Sequence, residues 1–463
     1  VGAVLERERQ GYELDARINA RGLPIDMALV HGAIAAYERN ISSLVAEAQQ
    51  ITGLSNPNSV AQLLDWLRQQ GVEVQTLDKA AVRDVLLTEL APNVRRLLEI
   101  RQLLGMTSVK KYHALRDRTS SDGRLRDTLQ YLGAGRTGRW AGRGLQLQNL
   151  PRGTLNLQQM HLAVERLRAG GDASMEELQS CIRASVRAPD GCLIAAADLA
   201  SIESRVVAWL AEEETMLAVF AEGRDTYLDY GQQLLGKPES EITKAERTYC
   251  KPVVLGGAYQ MGGAGLVAYA QGMGVEMTEE EARDAVAAFR ARYSGLPRLW
   301  SRLDEAAREV VVDGGRKEVG RLAFEMDPPW LFMVLPSGRR LAYLHPRIQM
   351  QQAPWGDDVP TMTYMGLNQF TKKWERQSTF GGRWTEQACQ AVARDVLLEG
   401  LLHADAMGFE LIGSVHDELL ALVGDDNWLC HESLAHCMTR LPEWADSTLY
   451  LDAEGFSDQF YHK

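Results

Sequence analysis

Cys192-Leu193-Ile194-Ala195-Ala196-Ala197-Asp198-Leu199-Ala200-Ser201-Ile202-Glu203-Ser204-Arg205 is the stretch on which the fold turns. The apolar run from Cys192 to Ala197 reads as a buried strand, and it stops on one carboxylate, Asp198. Ile202, Val206 and Leu210 then recur at i, i+4 and i+8, the spacing of a helix with one buried face. A carboxylate between a strand end and a helix start has two readings. It caps the helix, or it holds a hard cation against a phosphate. Two later stretches bear on the choice.

One is Arg247-Thr248-Tyr249-Cys250-Lys251-Pro252-Val253-Val254-Leu255-Gly256-Gly257-Ala258-Tyr259. Arg247, Lys251, Leu255 and Tyr259 are spaced by four. Each such step turns a helix by only about 40°, so the four lie on one slowly drifting stripe. Two cations at one end and an aromatic at the other suit a ligand with a polyphosphate and a base. The same stripe also fits an ordinary helix with exposed cations. Pro252 and the two glycines predict that the helix is bent or interrupted. The other stretch is Gly413-Ser414-Val415-His416-Asp417-Glu418-Leu419-Leu420. Apolar flanks around an acidic tip predict a β-hairpin with Asp417 at its turn. If this hairpin pairs beside the Asp198 strand, two carboxylates meet, which is costly without cations. Two Mg²⁺ ions about 3.5–4 Å apart would remove that cost and suit in-line phosphoryl transfer.

Composition sets outer bounds. A chain of 463 residues suggests two or three lobes. No run of about 18 apolar residues predicts a membrane span. The N-terminus shows no signal-peptide pattern. It also lacks an initiator Met, so the chain is expected to be a piece of a longer protein. Six cysteines without a CxxC spacing fit free thiols in a reducing compartment, so a cytoplasmic location is expected. Cys430-His431 and His436-Cys437 fall in a helical-looking stretch and are not read as a zinc site. The net charge of −12 averages over the surface, whereas a nucleic-acid cleft needs only a local basic lining.

Along the chain, residues 1–30 read as an opening helix and strand, and residues 31–52 as a helix. Asn56-Pro57-Asn58-Ser59 is a turn, with Ser59 capping a helix from Val60 to Gln70. Residues 93–116 carry one long amphipathic pattern. Lys110 and Lys111 near its end suit either a solvated face or a phosphate contact. Gly133 to Gly144 interleaves three arginines with five glycines, which suits a ligand loop or a flexible surface loop. Residues 211–300 read as mostly helical. Residues 308–365 mix turns and β alternation, with a hairpin at 335–343. Residues 384–406 read as a helix, and Phe409–Val415 and Leu419–Val423 as strands.

In order and spacing these stretches resemble the family A DNA polymerases, the group of bacterial DNA polymerase I and many phage replicases. Asp198-x4-Glu203-x-Arg205 resembles motif A, Arg247-x3-Lys251-x7-Tyr259 motif B, and His416-Asp417-Glu418 motif C. Arg136 to Pro151 resembles the template–primer-binding stretch, with Arg139, Gln148 and Asn149 at matching places, and Gln390 matches a further position. The resemblance implies an α+β, right-hand fold with an antiparallel-sheet palm, helical fingers and a helical thumb. It implies a segment leading into the palm at 1–30, thumb at 31–130, palm at 131–209, fingers at 210–300, and palm again at 301–463.

The resemblance also implies roles. Asp198 and Asp417, with the Leu199 carbonyl, would hold two Mg²⁺. Arg247 and Lys251 would grip the incoming triphosphate, and Lys251 would protonate the leaving pyrophosphate. His416 would meet the primer end or phosphates. Glu203 and Tyr259 would crowd the sugar 2′ position, Arg139 and Gln390 would test base-pair geometry from the minor groove, and Glu418 would support the metal site. The implied partners are primer–template DNA and dNTPs, with no membrane; no replication accessory protein is identifiable. The resemblance departs at Leu255, where many relatives have Phe or Tyr against the nucleotide sugar. It departs also at Gln260, which replaces a common glycine, at Glu386, which replaces Asn, at Arg383, one place off a family arginine, and at the loosely matching tail from Phe456. A 3′–5′ exonuclease is not expected in this chain, because nothing before residue 30 could hold one. Glu203 and Glu418 favour a DNA over an RNA polymerase. Asp198, Lys251 and Asp417 together speak against a silent scaffold, and the motif B stripe against a hydrolytic nuclease.

Overall fold

The structure, a computed structural model, describes residues 2–352, 356–368, 371–425 and 428–462. At its centre is a four-stranded antiparallel sheet. Its order is Glu410–Val415, Glu418–Gly424, Cys192–Leu199 and Ala453–Asp458. This sheet is covered on both faces, as its composition demands. Ala195, Ala197 and Leu199 point into one hydrophobic core, while Ile194 and Ala196 point into another. Leu419, Ala421 and Val423 against Leu420 and Leu422 repeat the division on the neighbouring strand. Side chains alternate across a strand, so a sheet buried on both sides must read as one unbroken apolar run. Gly455 lies where a Cβ would strike the Ala196 carbonyl, so only glycine lets the outermost strand close on the Asp198 strand.

The helices divide between the two cores. Met27–Thr52, Val60–Gln69, Pro92–Leu104 and Lys111–Arg118 pack with Leu157–Arg168 around one core. Asp26 caps the first of these, its side chain accepting from the Leu29 N–H. Ser59 occupies the cap position of the second but makes no side-chain cap bond. The amphipathic pattern over 93–116 is not one helix. It breaks after Leu104 at Gly105, passes through a short 3₁₀ turn at Thr107–Lys110 and resumes at Lys111. The other core gathers the helices Ile202–Ala211, Thr226–Leu235, Lys244–Gly257, Glu279–Arg292 and Gly295–Asp313. The last of these carries the helix through residues 308–313, where β structure was expected.

Residues 316–379 form a second sheet of six strands, a meander in which each strand pairs with the next. Its strands are Arg316–Val319, Leu322–Asp327, Trp330–Val334, Arg340–Gln352, Asp358–Leu367 and Trp374–Thr379. One face is buried. Tyr343 and Phe324 meet Trp384 edge-on at 4.7 and 5.2 Å between ring centres. Trp384 belongs to the helix Gly381–Ala406, which crosses between this sheet and the central one.

Candidate active site

The site is assembled at one end of the central sheet. Asp198 lies opposite Glu418 in the ladder, and the N–H of Leu199 donates to the Asp417 carbonyl at 3.1 Å. The hairpin expected from the sequence forms, and it brings Asp417 beside Asp198 across a separation of more than two hundred residues. Asp198 does not cap the following helix. That position is held by Ser201, whose backbone is left-handed. Arg205 sits under the same turn, donating to the carbonyls of Ala200 and Tyr450 at 2.8 and 2.9 Å.

His416 and Asp417 are the two turn residues between Val415 and Glu418. Of the two, only His416 has a positive φ, 59°. A tight hairpin turn with positive φ at its first position favours glycine. Non-glycine residues in this region carry a cost of order 1–3 kcal/mol and cluster where function holds them.

A cleft in front of this turn is lined by Arg139, Trp140, Glu203, Arg394, His416 and Asp417, among others. Glu203 is its hub. One carboxylate oxygen accepts from Arg139 at 3.0 Å, and the other from the Tyr259 hydroxyl at 3.0 Å. The Tyr259 hydroxyl also reaches Cys389 Sγ at 3.3 Å, and Cys389 Sγ donates to the Glu203 backbone carbonyl at 3.0 Å. Burial pushes the Tyr259 hydroxyl and the Cys389 thiol well above their ordinary ranges, so both keep their protons at neutral pH. Burial likewise raises the nearby Glu386 carboxyl, against the opposing pull of Arg383.

The stripe expected over 247–259 is largely realised. A capping box, Thr243 with Glu246, starts its helix. The helix runs through Pro252 uninterrupted and stops at Gly257, so Tyr259 stands in the turn beyond it. Lys251 lies six residues before that end, about 9 Å along the axis. Leu255 is half-buried between Lys251 and the turn. Arg247 is held by Asp225, with Nε at 2.8 Å, and its guanidinium lies 5.0 Å from the Tyr227 ring centre. Lys251 Nζ lies 5.8 Å over the same ring. Gln260 has a φ of 65°, which explains why glycine suits this position. Its side chain compensates by accepting from the Gly382 N–H at 2.8 Å.

The stretch from Arg136 to Pro151 is ordered by local bonds. Gln148 packs directly over Gly142, where a Cβ would collide with its amide. Asn149 donates to Gln146, and its carbonyl accepts from Lys111 at 2.5 Å. Lys111 is therefore engaged by the protein itself. Gln390 is half-buried one turn before Ala393 and Arg394, which line the cleft.

Glu418, singled out in the sequence, is held by residues that carry no signal of their own. Glu418 is buried and accepts from the Tyr461 hydroxyl at 2.6 Å. Arg183 joins that hydroxyl at 3.2 Å to the Leu150 carbonyl at 2.9 Å. The loosely matching tail thus ties the His416–Asp417 hairpin to the Arg136–Pro151 stretch. Arg394, fully buried, pairs with Glu8 at 2.6 Å and Asp395 at 3.2 Å, between the rings of Tyr131 and Trp140. Asp225 and Tyr227 belong with these. Only the contacts made in the fold distinguish them from ordinary capping and core residues.

Residues 28–313 match the family described as DNA polymerase family A. The chain is 35% identical over 473 residues to a DNA polymerase of Bacillus phage SP02, covering 99% of this chain and 71% of that protein. It is 25% identical to DNA polymerase I of Aquifex aeolicus, over 66% of this chain and 49% of that one. It is 27% identical to the thermostable DNA polymerase I of Thermus aquaticus, over 55% and 29%. The chain thus spans half or less of these bacterial relatives. Among solved structures it resembles the POL domain of Pol1 from M. smegmatis in complex with DNA primer-template and dNTP. That likeness has a TM-score of 0.65 at 18% identity, over 97% of this chain and 69% of that one. The likeness fits a right-hand polymerase fold.

Proposed function

Because the chain belongs to the family A DNA polymerases, and is a DNA-directed DNA polymerase, we propose that it extends a primer 3′-hydroxyl with dNTPs by two-metal phosphoryl transfer, releasing pyrophosphate. The observation that carries this reading is the junction of Asp198 and Asp417 at the end of the central sheet.

The donor set suits magnesium. Two carboxylates, Asp198 and Asp417, with the Leu199 carbonyl, are hard oxygen ligands, and neither sulfur nor imidazole is required. When bound, such ions lower the pKa of the attacking hydroxyl and neutralise charge on the phosphates. The chain's own groups do the rest. Arg247 and Lys251 grip the triphosphate, and Asp225 and Tyr227 hold Arg247 in place for it. Lys251 carries the proton that the leaving pyrophosphate needs. Leu255 packs on the nucleotide, and His416 meets the primer end or the phosphates. Glu203 and Tyr259, locked together, stand against a ribose 2′-hydroxyl. Arg139 and Gln390 donate to minor-groove acceptors common to all correct pairs. Gln148 and Asn149 position the primer–template, and Glu418 steadies the hairpin through Tyr461.

In this reading the thumb is 31–130, the fingers 210–300, and the palm 131–209 with 301–463, led into by 1–30. The partners are primer–template DNA and dNTPs, the two named for the M. smegmatis POL domain. The reading assigns no 3′–5′ exonuclease to these residues; magnesium-dependent release of nucleotides from a 3′ end would overturn this point. No described helix is long and apolar enough to cross a membrane, and the phage relative supports a place in the cytoplasm of a bacterium or infected host.

The deciding experiment is primer extension with Asp417→Ala. Loss of several kcal/mol of transition-state stabilisation predicts a fall of about a thousandfold or more, with primer–template affinity retained. Normal single-turnover chemistry in the variant would refute the assignment.

A further inference from the structure

The six-stranded sheet has a face that the polymerase reading leaves unused. Its inner face is filled by Leu331, Met333, Leu341, Tyr343, Met362 and Tyr364, all buried. Cross-strand partners share a face, so the register defines the opposite one. The pairs Val334–Arg340, Phe332–Ala342 and Trp330–Leu344 lie on it, continued by Leu344–Met365, Met365–Arg376 and Leu367–Trp374. This outer face is aromatic and cationic at once. Trp374 is 60% exposed and Trp330 37%. Trp330 stacks on Phe332, and Arg340 lies over the Phe332 ring at 5.4 Å. Arg347 is exposed on the same face, opposite Thr363. Lys372 and Lys373 are exposed in the turn that leads into Trp374.

Charge is distributed unevenly. The outer face of strands 340–379 carries Arg340, Arg347 and Arg376, with Lys372 and Lys373 in its turn, in a chain whose net charge is −12. The acidic residues of the sheet's outer face, Glu318, Glu325 and Asp327, gather on the far strands, where Glu325 pairs with Arg316 and Arg340. The sheet also abuts the primer-binding stretch. The guanidinium of Arg136 is clamped between Tyr343 and Tyr364, 4.6 Å from each ring centre, and donates to the Ala342 carbonyl.

We propose that the outer face of strands 340–352, 358–367 and 374–379, with Trp374 at its edge, binds the unpaired template strand beside the active site. The proposal rests on the polymerase reading for its ligand. Exposed aromatic rings interleaved with cations suit single strands, whose bases are free to stack while the cations track phosphates. Duplex DNA hides those base faces. An accessory protein is the competing occupant, and the basic balance of these strands favours the nucleic acid.

The test measures fluorescence anisotropy with two primer–templates, one with a short and one with a long single-stranded template overhang. Trp374→Ala is expected to weaken the long-overhang complex about tenfold and leave the short-overhang complex unchanged. Lys372→Ala with Lys373→Ala should lower the salt slope of long-overhang binding by about 1.4, two cations at ~0.7 each. Equal affinities of wild type and both variants for the long overhang would overturn the proposal and leave the face to a protein. A loss of the same size on both substrates would overturn it too. Extension on the short-overhang substrate is the separate control. Its persistence keeps the polymerase reading intact whichever way the overhang experiment falls.

Discussion

The two sheets of this protein are built by opposite rules. The central sheet is sandwiched between two cores and spends its strand ends on chemistry. The six-stranded sheet buries one face and shows the other to solvent. In the first, the two middle strands are committed to packing, and the polar groups Asp198, His416 and Asp417 gather at the turn and the strand end beside it. In the second, the outer face leaves Trp330, Arg347 and Trp374 exposed, although Ala323 and Thr363 on it are buried. A surface function can be written there without disturbing the core.

That contrast is open to attack, first through Arg394. It is fully buried among Glu8, Asp395, Tyr131 and Trp140, behind the catalytic end of the central sheet. Arg394→Ala leaves Glu8 without its cation, while Asp395 keeps Arg339 at 2.8 Å, and breaking a buried pair costs about 3–5 kcal/mol. Chemical denaturation should show a loss in that range; a loss under about 1 kcal/mol would mean that this end of the molecule is not tightly committed. The same pair makes a pH prediction. Burial alone would raise the Glu8 carboxyl, but the hydrogen bond and charge of Arg394 outweigh it and hold it below its ordinary value. A depressed carboxylate contributes stability above its unfolded pKa, about 4.3, and loses it as pH falls through the lower folded value. Glu8→Gln should therefore flatten the stability profile below about pH 4.3, and an unchanged acid limb would contradict it.

His416 gives a smaller and more pointed test. Its left-handed backbone predicts that His416→Gly is more stable than His416→Ala by about 1 kcal/mol, although both lose activity. Thermal melts of the two variants decide it. If alanine is as stable as glycine there, the turn is not strained. The smallest effect belongs to the other sheet. Trp374→Ala removes a large aromatic side chain from an exposed position, and stability should move by no more than about 0.5 kcal/mol. A larger loss would show that the outer face serves packing after all.

The same contrast explains what was legible in the sequence. The central strands could be read because double burial writes an unbroken apolar run ending on a carboxylate. The Asp198–Asp417 meeting followed once the hairpin was placed. The six-stranded meander appeared only as mixed turns and alternation, because one-sided strands of four to thirteen residues carry weak individual signals. The break at Gly105 was hidden by an apolar period that continues across it. The motif B helix ends at the second of the two glycines that predicted an interruption, whereas Pro252 does not interrupt it. Tyr461, Arg183, Asp225 and Tyr227 were invisible for another reason. Their work depends on who stands next to them, and that is decided by the fold.

The contact between Gly382 and the turn at Tyr259 has one more consequence. A Cβ at Gly382 would run into the Tyr259 carbonyl and the Gln260 side chain. Even a single added methyl at the head of the Gly381–Ala406 helix would act as a wedge under the turn that carries Tyr259. The placing of Tyr259 is thus guarded in part by an atom that is not there, on a residue with no side chain to mutate away.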